Sequence, residues 1–212
     1  LPRISERFKE DFINKGQSHI LQYNYQDRLI INMGYSYHYN SIGGAIINNT
    51  IASNSYSIRF NFESAGNIMY ALSKATNIRK NNDGEYAILG IPYAQYVKGE
   101  FDFSKNIRID HRNSFAFHIG MGIAVPYGNA KTIPFEKQYF SGGANSVRGW
   151  TVRDLGPGSF VRDENTNLLD QSGDIKLDAS IEYRSKLFWK FQGAIFVDAG
   201  NIWTIRDYDN QP

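Results

Sequence analysis

The chain has 212 residues, 42% hydrophobic and 21% charged, with 14 Phe, 14 Tyr and 3 Trp; that length fits one domain. Lys+Arg 23 against Asp+Glu 21 leaves a formal charge of +2, too small a bias for a nucleic-acid surface, and the lack of cysteine excludes a disulfide scaffold, a thiolate-bound metal and a cysteine nucleophile. A mean hydropathy of −0.45 without a long apolar run excludes a helical membrane span, but not a membrane β-barrel, whose strands alternate and average out as hydrophilic.

No leader pattern opens at Leu1, so a mature or trimmed start is expected. Ile4, Phe8 and Phe12 then recur every four residues among charged neighbours, which predicts a short helix. A period of two follows: Leu29, Ile31, Met33, Tyr35, Tyr37 and Tyr39 oppose Asn32, Gly34, Ser36, His38 and Asn40. After an Asn-, Ser- and Gly-rich connection around residues 41–55, Tyr56, Ile58, Phe60 and Phe62 face away from Ser57, Arg59, Asn61 and Glu63. Ile68 and Leu72 predict a second helix over residues 67–74. Tyr93, Val97, Phe101 and Phe103 alternate with Ala94, Lys98, Asp102 and Ser104, and a short turn is expected around Lys105 and Asn106. The clearest strand covers residues 114–125, where Phe115, Phe117, Ile119, Met121, Ile123 and Val125 oppose small or polar residues. A connection at about 126–173 precedes a strand with Ile175, Leu177, Ala179, Ile181 and Tyr183 on one face and Lys176, Asp178, Ser180, Glu182 and Arg184 on the other. A last strand, roughly 191–199, puts Phe191, Ile195 and Val197 opposite Gln192, Ala194, Phe196 and Asp198.

Such alternation suits either a soluble sheet with one buried face or a membrane barrel whose apolar face meets lipid. Strands of about ten residues and aromatic strand ends at Tyr35, Tyr37, Tyr39, Tyr127 and Trp203 favour the barrel. About six strands are too few to close one, and the turn-like residues 207–212 add no terminal strand, so a piece of a larger barrel is expected. Connections at about 41–55, at the Lys105-Asn106 turn and at 186–190 fall on one side. Those at about 65–90 and 126–173 fall on the other, as long extracellular loops do in outer-membrane barrels.

The longest connection carries Gly142-Gly143 and then Ser146-Val147-Arg148-Gly149-Trp150. Further on come Ile181-Glu182-Tyr183 and Phe196-Val197-Asp198-Ala199-Gly200. In that order these motifs resemble the sixth-loop tip, the Glu-bearing strand and the Phe-x-Asp-x-Gly strand of the BamA/TamA outer-membrane assembly superfamily. Trp150 stands where that family usually has Phe or Tyr. The alternation itself puts Glu182 and Asp198 on polar strand faces, which point into a barrel lumen, and Arg148 on a loop long enough to reach them. We therefore expect Arg148 to lie against Asp198, Glu182 or both.

The resemblance implies an all-β fold: a partial transmembrane antiparallel β-barrel, about six strands of sixteen. Residues 1–212 would form one partial barrel domain with a lumen-inserted loop at about 126–173, and the family's POTRA domains and final strands would lie outside it. It further implies outer-membrane protein assembly or translocation by strand templating and local bilayer thinning. Expected partners are outer-membrane lipids, nascent β-barrel proteins and accessory lipoproteins or an inner-membrane translocation partner, with no nucleic acid. The alternatives are a two-partner secretion transporter, a passive porin or receptor barrel, and a soluble β-rich domain. No enzyme, cofactor or metal is expected. A nearby Arg would keep both Glu182 and Asp198 ionised, against an acid/base pair, and His19, His38, His111 and His118 lack ligand spacing. Ser141 and Ser146 sit outside any Gly-x-Ser-x-Gly elbow, residues 141–144 lack the P-loop Lys, and residues 207–210 lack calcium-loop spacing.

Overall fold

The computed structural model describes residues 27–41, 54–159 and 171–205. The helix expected around Ile4, Phe8 and Phe12 lies outside them. Six long strands, β1 (Asn32–Asn40), β2 (Asn54–Ala65), β5 (Tyr96–Arg108), β6 (Asn113–Pro126), β7 (Ile175–Lys186) and β8 (Gln192–Trp203), form one antiparallel sheet in the order β1-β2-β5-β6-β7-β8. The sheet is open, with β1 and β8 at its edges. Between β2 and β5 lie helix α1 (Asn67–Ala75) and a small hairpin of β3 (Ala87–Ile88) and β4 (Ile91–Pro92), which the sequence periodicity did not reveal.

Register follows the alternation, because a one-residue slip would send every side chain to the wrong face. One rung joins Ser36, Asn61, Glu100, Gly122 and Lys176; the next joins Tyr37, Phe60, Phe101, Met121 and Leu177. The two faces are buried in the reverse of the soluble sense. Apolar side chains stand outermost, with Ile195 75% and Val197 71% exposed, whereas Asp178 on the polar face is only 4% exposed. A continuous apolar wall of this extent is untenable in water but suits a hydrocarbon surround. Among the described residues no second layer buries that wall, as the soluble alternative required.

The packed core instead lies on the polar side. Ala65, Ala94, Tyr96, Ala124, Ile133, Tyr139 and Ile202 cluster where the long connections fold over the end of the sheet. These connections, at residues 66–95 and 127–174, leave from one end of the strands, whereas residues 109–112 and 187–191 close the other.

Several boundaries differ from those expected. The β5–β6 turn falls at residues 109–112, not at Lys105-Asn106, because the ladder continues to the Arg108–Ser114 pair and Asp110 accepts the Arg112 and Asn113 amides at 2.6 and 2.9 Å. An Asx-type turn outweighed the local polarity of Lys105-Asn106. Tyr93 is not a strand residue: it is buried beside α1, its hydroxyl 3.3 Å from Ser73 Oγ. The final strand starts after Phe191 and runs on to Trp203. Helix α1 forms where expected, but Ile68 and Leu72 are exposed, and its buried residue is Ser73.

Candidate functional site

The residues 127–159 of the longest connection cross the polar face of the sheet and are held there at two stations. At the first, Lys137 Nζ lies 2.7 Å from Glu63 of β2, a carboxylate that also accepts from Tyr96 and Asn32. Lys98 of β5 donates to the Lys137 carbonyl at 3.1 Å, and its ammonium stands 4.3 Å from the centroid of the Tyr139 ring. The Tyr139 hydroxyl donates to the Gly99 carbonyl at 3.2 Å. Its ring rests on bare backbone, since a Cβ at Gly122 would come within 2.5 Å of it. Burial is the main reason the Tyr139 phenol resists ionisation, with its pKa raised well above 10, and Glu100 adds to the effect.

The second station is the tip, residues 141–153. It doubles back through hydrogen bonds from Gly143 N–H to the Trp150 carbonyl (2.9 Å) and from Arg153 N–H to the Ser141 carbonyl (3.0 Å). Gly142 and Gly143 have φ of 99° and 90°, and a Cβ on Gly142 would lie 2.1 Å from the Thr151 carbonyl oxygen, so glycine is demanded twice over. Arg153 stiffens the base, with Phe135 and Phe140 rings 4.4 and 4.7 Å from its guanidinium.

At the apex Arg148 meets the wall formed by β7 and β8. Its Nε and Nη2 donate to the two oxygens of Asp198 at 2.7 and 2.8 Å, its backbone N–H donates to Asp198 at 3.0 Å, and Nη1 pairs with Glu182. Nη2 also donates to Ser180 Oγ at 3.1 Å, and the guanidinium lies 3.6 Å from the Phe196 ring centroid. The planar fork of a guanidinium gives Asp198 two bonds while a further N–H reaches Glu182, an arrangement that the single nitrogen of an ammonium does not reproduce. These acceptors, Asp198 before Glu182, hold the Arg148 proton even more firmly than usual, so the cation is permanent. Asp198 and Glu182 have side chains only 4% and 13% exposed, whereas that of Arg148 is 26% exposed. Of these three the arginine is thus the most open to water.

The structure thus brings Arg148, Glu182 and Asp198 together, and it seats Val147 against Gly200, where a Cβ would be 3.0 Å from Val147 Cγ2. The other motif residues do not join the wall: Trp150 is half exposed, and a Cβ on Gly149 would meet open space. Sequence reasoning missed Ser180, the stacking role of Phe196 and the second cation on Glu182, Arg184 at 2.6 Å. It also missed the whole first station, although Glu63, Lys98 and Gly122 share the polar face by period alone. His118, placed on that face by the sequence, lies 3.4 Å from Asp102 and 3.6 Å from Asp178. Among the described residues no group of three or more His, Asp or Glu side chains is placed to hold a metal ion. What the site can do is mechanical and electrostatic: a permanent cation on a folded loop locks onto an anionic patch of two adjacent strands.

A family model for the Omp85 superfamily domain matches residues 8–212. The chain is 35% identical over 99 residues to outer membrane protein assembly factor BamA of Neisseria meningitidis serogroup B (strain ATCC BAA-335 / MC58). That likeness covers 42% of this chain and 12% of the relative, so the matched region is a small part of that protein's length. Among solved structures, BamA from Haemophilus ducreyi lacking POTRA domains 1–3 is similar with a TM-score of 0.42 and 17% identity, over 82% of this chain and 42% of that one.

Proposed function

We propose, because this chain belongs to the Omp85 superfamily over residues 8–212, that it supplies barrel wall and lumenal loop to a machine that assembles other β-barrel proteins into the outer membrane. The chain is an outer-membrane protein built of antiparallel strands. The observation that carries the assembly reading is the family match itself, which extends across both the sheet and the docked loop. The name of the Neisseria relative supports the same activity.

In this reading residues 1–212 belong to one barrel domain, and the loop at about 126–173 lies in its lumen. The clamp of Arg148 on Glu182 and Asp198 sets the curvature of the β7–β8 wall, since a loop tied at two stations resists the sheet's flattening or opening. Gly142, Gly143, Val147, Gly149 and Trp150 form the tip that delivers the arginine. The work is non-enzymatic: client strands add by main-chain pairing to an exposed sheet edge, and a locally thinned bilayer lowers the cost of insertion. Nascent barrel proteins are the clients, and accessory lipoproteins or an inner-membrane partner would dock outside the region described.

Depletion of the full-length protein is the test, with folded, heat-modifiable outer-membrane proteins quantified afterwards. Their level should fall and recover with the wild-type gene, but recover poorly with Arg148→Ala. Undiminished folding of other barrel proteins after depletion overturns the assembly reading.

A further inference from the structure

The β7–β8 turn, residues 187–191, reads Leu-Phe-Trp-Lys-Phe and is far more apolar than a solvated turn needs to be. Trp189, at its tip, is 86% exposed and has a φ of 51°, the left-handed region that a bulky side chain enters only at a cost. Hydrogen bonds from Leu187 N–H to the Phe191 carbonyl (3.0 Å) and from Phe191 N–H to the Phe188 carbonyl (2.9 Å) close the turn. Neither needs tryptophan; glycine or asparagine would serve the backbone better. Closing the turn therefore does not account for the aromatic, and so exposed a ring is open to a contact outside the sheet.

Two observations say what that contact is. First, the cluster continues the lipid-facing wall rather than the lumen. Phe191 and Gly193 fall in alternation with the outward Ile195 and Val197, and Leu187 covers Gly193, where a Cβ would sit 3.3 Å from its Cδ1. Phe188 and Trp189 in turn pack on Phe191, with ring centroids 5.2 and 6.2 Å away. Second, the setting is cationic. The Lys190 ammonium lies 5.7 Å from the Trp189 ring centroid, and Lys186 N–H donates to the Arg112 carbonyl at 2.9 Å, so the β5–β6 turn is adjacent. Together residues 108–112 and 186–190 hold Arg108, Arg112, Lys186 and Lys190 against the single acid Asp110.

We infer that the β7–β8 turn is a lipid-binding anchor that seats Phe188, Trp189 and Phe191 at the membrane interface and takes an anionic phospholipid headgroup through Lys190. Amphipathic aromatics settle at the headgroup level, and a nearby lysine adds attraction for anionic lipid. The anchor fixes the depth of the β7–β8 hairpin, the same hairpin that carries Glu182 and Asp198.

The test uses the full-length protein in vesicles of phosphatidylethanolamine with or without phosphatidylglycerol, carrying spin-labelled lipid. Trp189→Phe identifies the fluorescence that Trp189 contributes. That contribution should be quenched by a label near the headgroup, more strongly when the labelled lipid is phosphatidylglycerol, and should resist aqueous iodide. Lys190→Gln should reduce the preference for phosphatidylglycerol about fivefold, the factor expected from removing one lysine at an anionic surface, while heat-modifiable migration stays normal. Full quenching by iodide, or protection from both quenchers as under a protein partner, overturns the proposal. Equal preference for the two lipids in wild type and Lys190→Gln overturns the headgroup assignment.

Discussion

Arg148→Ala removes the side chain that joins the loop tip to the wall, and the structure sets the size of the loss. The largest part is the two-pronged bond to Asp198, whose side chain is 4% exposed and would keep the backbone N–H of residue 148 and the Ser180 side chain as partners. A charge-assisted bond of this kind contributes about 1.5–3 kcal/mol. Loss of Glu182 matters less, because Arg184 Nε remains 2.6 Å from it. Stacking on Phe196, 3.6 Å from the ring centroid, adds about 1 kcal/mol. Since the Arg148 side chain is 26% exposed, water replaces part of what is lost. The net cost is about 2–3 kcal/mol, a factor of roughly 30–150 in the ratio of docked to undocked tip. Hydrogen exchange should register it as faster exchange of the tip amides, including those of Gly143 and Arg153, with the strand amides unchanged. Arg148→Lys keeps the charge but not the fork and should lose about half as much. A double-mutant cycle with Asp198→Ala should give a coupling near 2 kcal/mol. Tip exchange that stays within about threefold of wild type in folded Arg148→Ala protein, or a coupling near zero, would refute the clamp.

Gly122→Val drives a side chain into the Tyr139 ring, where a Cβ already falls within 2.5 Å. It should cost about 1–3 kcal/mol as overpacking, and Tyr139→Ala in the same chain should recover part of it in urea-induced unfolding within detergent or lipid. Met121→Lys, on the outward face, should lower folding into bilayers by about 2–4 kcal/mol, whereas Asn61→Lys on the polar face should be tolerated; equal effects in a vesicle-folding assay would contradict the assignment of faces. In the β5–β6 turn the Asn113 side chain, and after it the Arg112 amide, hold the Asp110 carboxyl below its usual range. A carboxylate lowered on folding stabilises above its unfolded pKa and loses that stabilisation as pH falls through the lowered value. Exchange at the Arg112 and Asn113 amides, corrected for intrinsic rate, should therefore stay slow through the normal carboxylate range and accelerate only at lower pH, with Asp110→Ala fast throughout.

Much of this protein was legible in its sequence, because a strand's period of two is a local property. Residues 114–125 alternate so regularly that their two faces can be assigned without any partner, and the register in the fold obeys that assignment. Glu182 and Asp198 were legible as polar-face residues for the same reason. Arg148 was legible as their partner because its loop tip resembles that of the BamA/TamA superfamily and the loop is long enough to reach both carboxylates. What the alternation could not state was which side of the apolar wall is occupied. That was decided by the sheet, whose apolar face no other described element covers and whose polar face holds the packed loop.

The rest waited on tertiary structure because it arises between residues far apart in the chain. Glu63 and Lys137 are 74 positions apart, and no periodicity links Gly122 to the Tyr139 ring that needs its missing Cβ. Phe196 reads as an apolar residue on the wrong face until Arg148 is seen stacked upon it. Local pattern determined the strands and their faces, since backbone pleating needs no distant partner. Only the folded chain could decide where the loop lands, since that depends on charges and gaps contributed by strands β2, β5, β6, β7 and β8 at two separate stations.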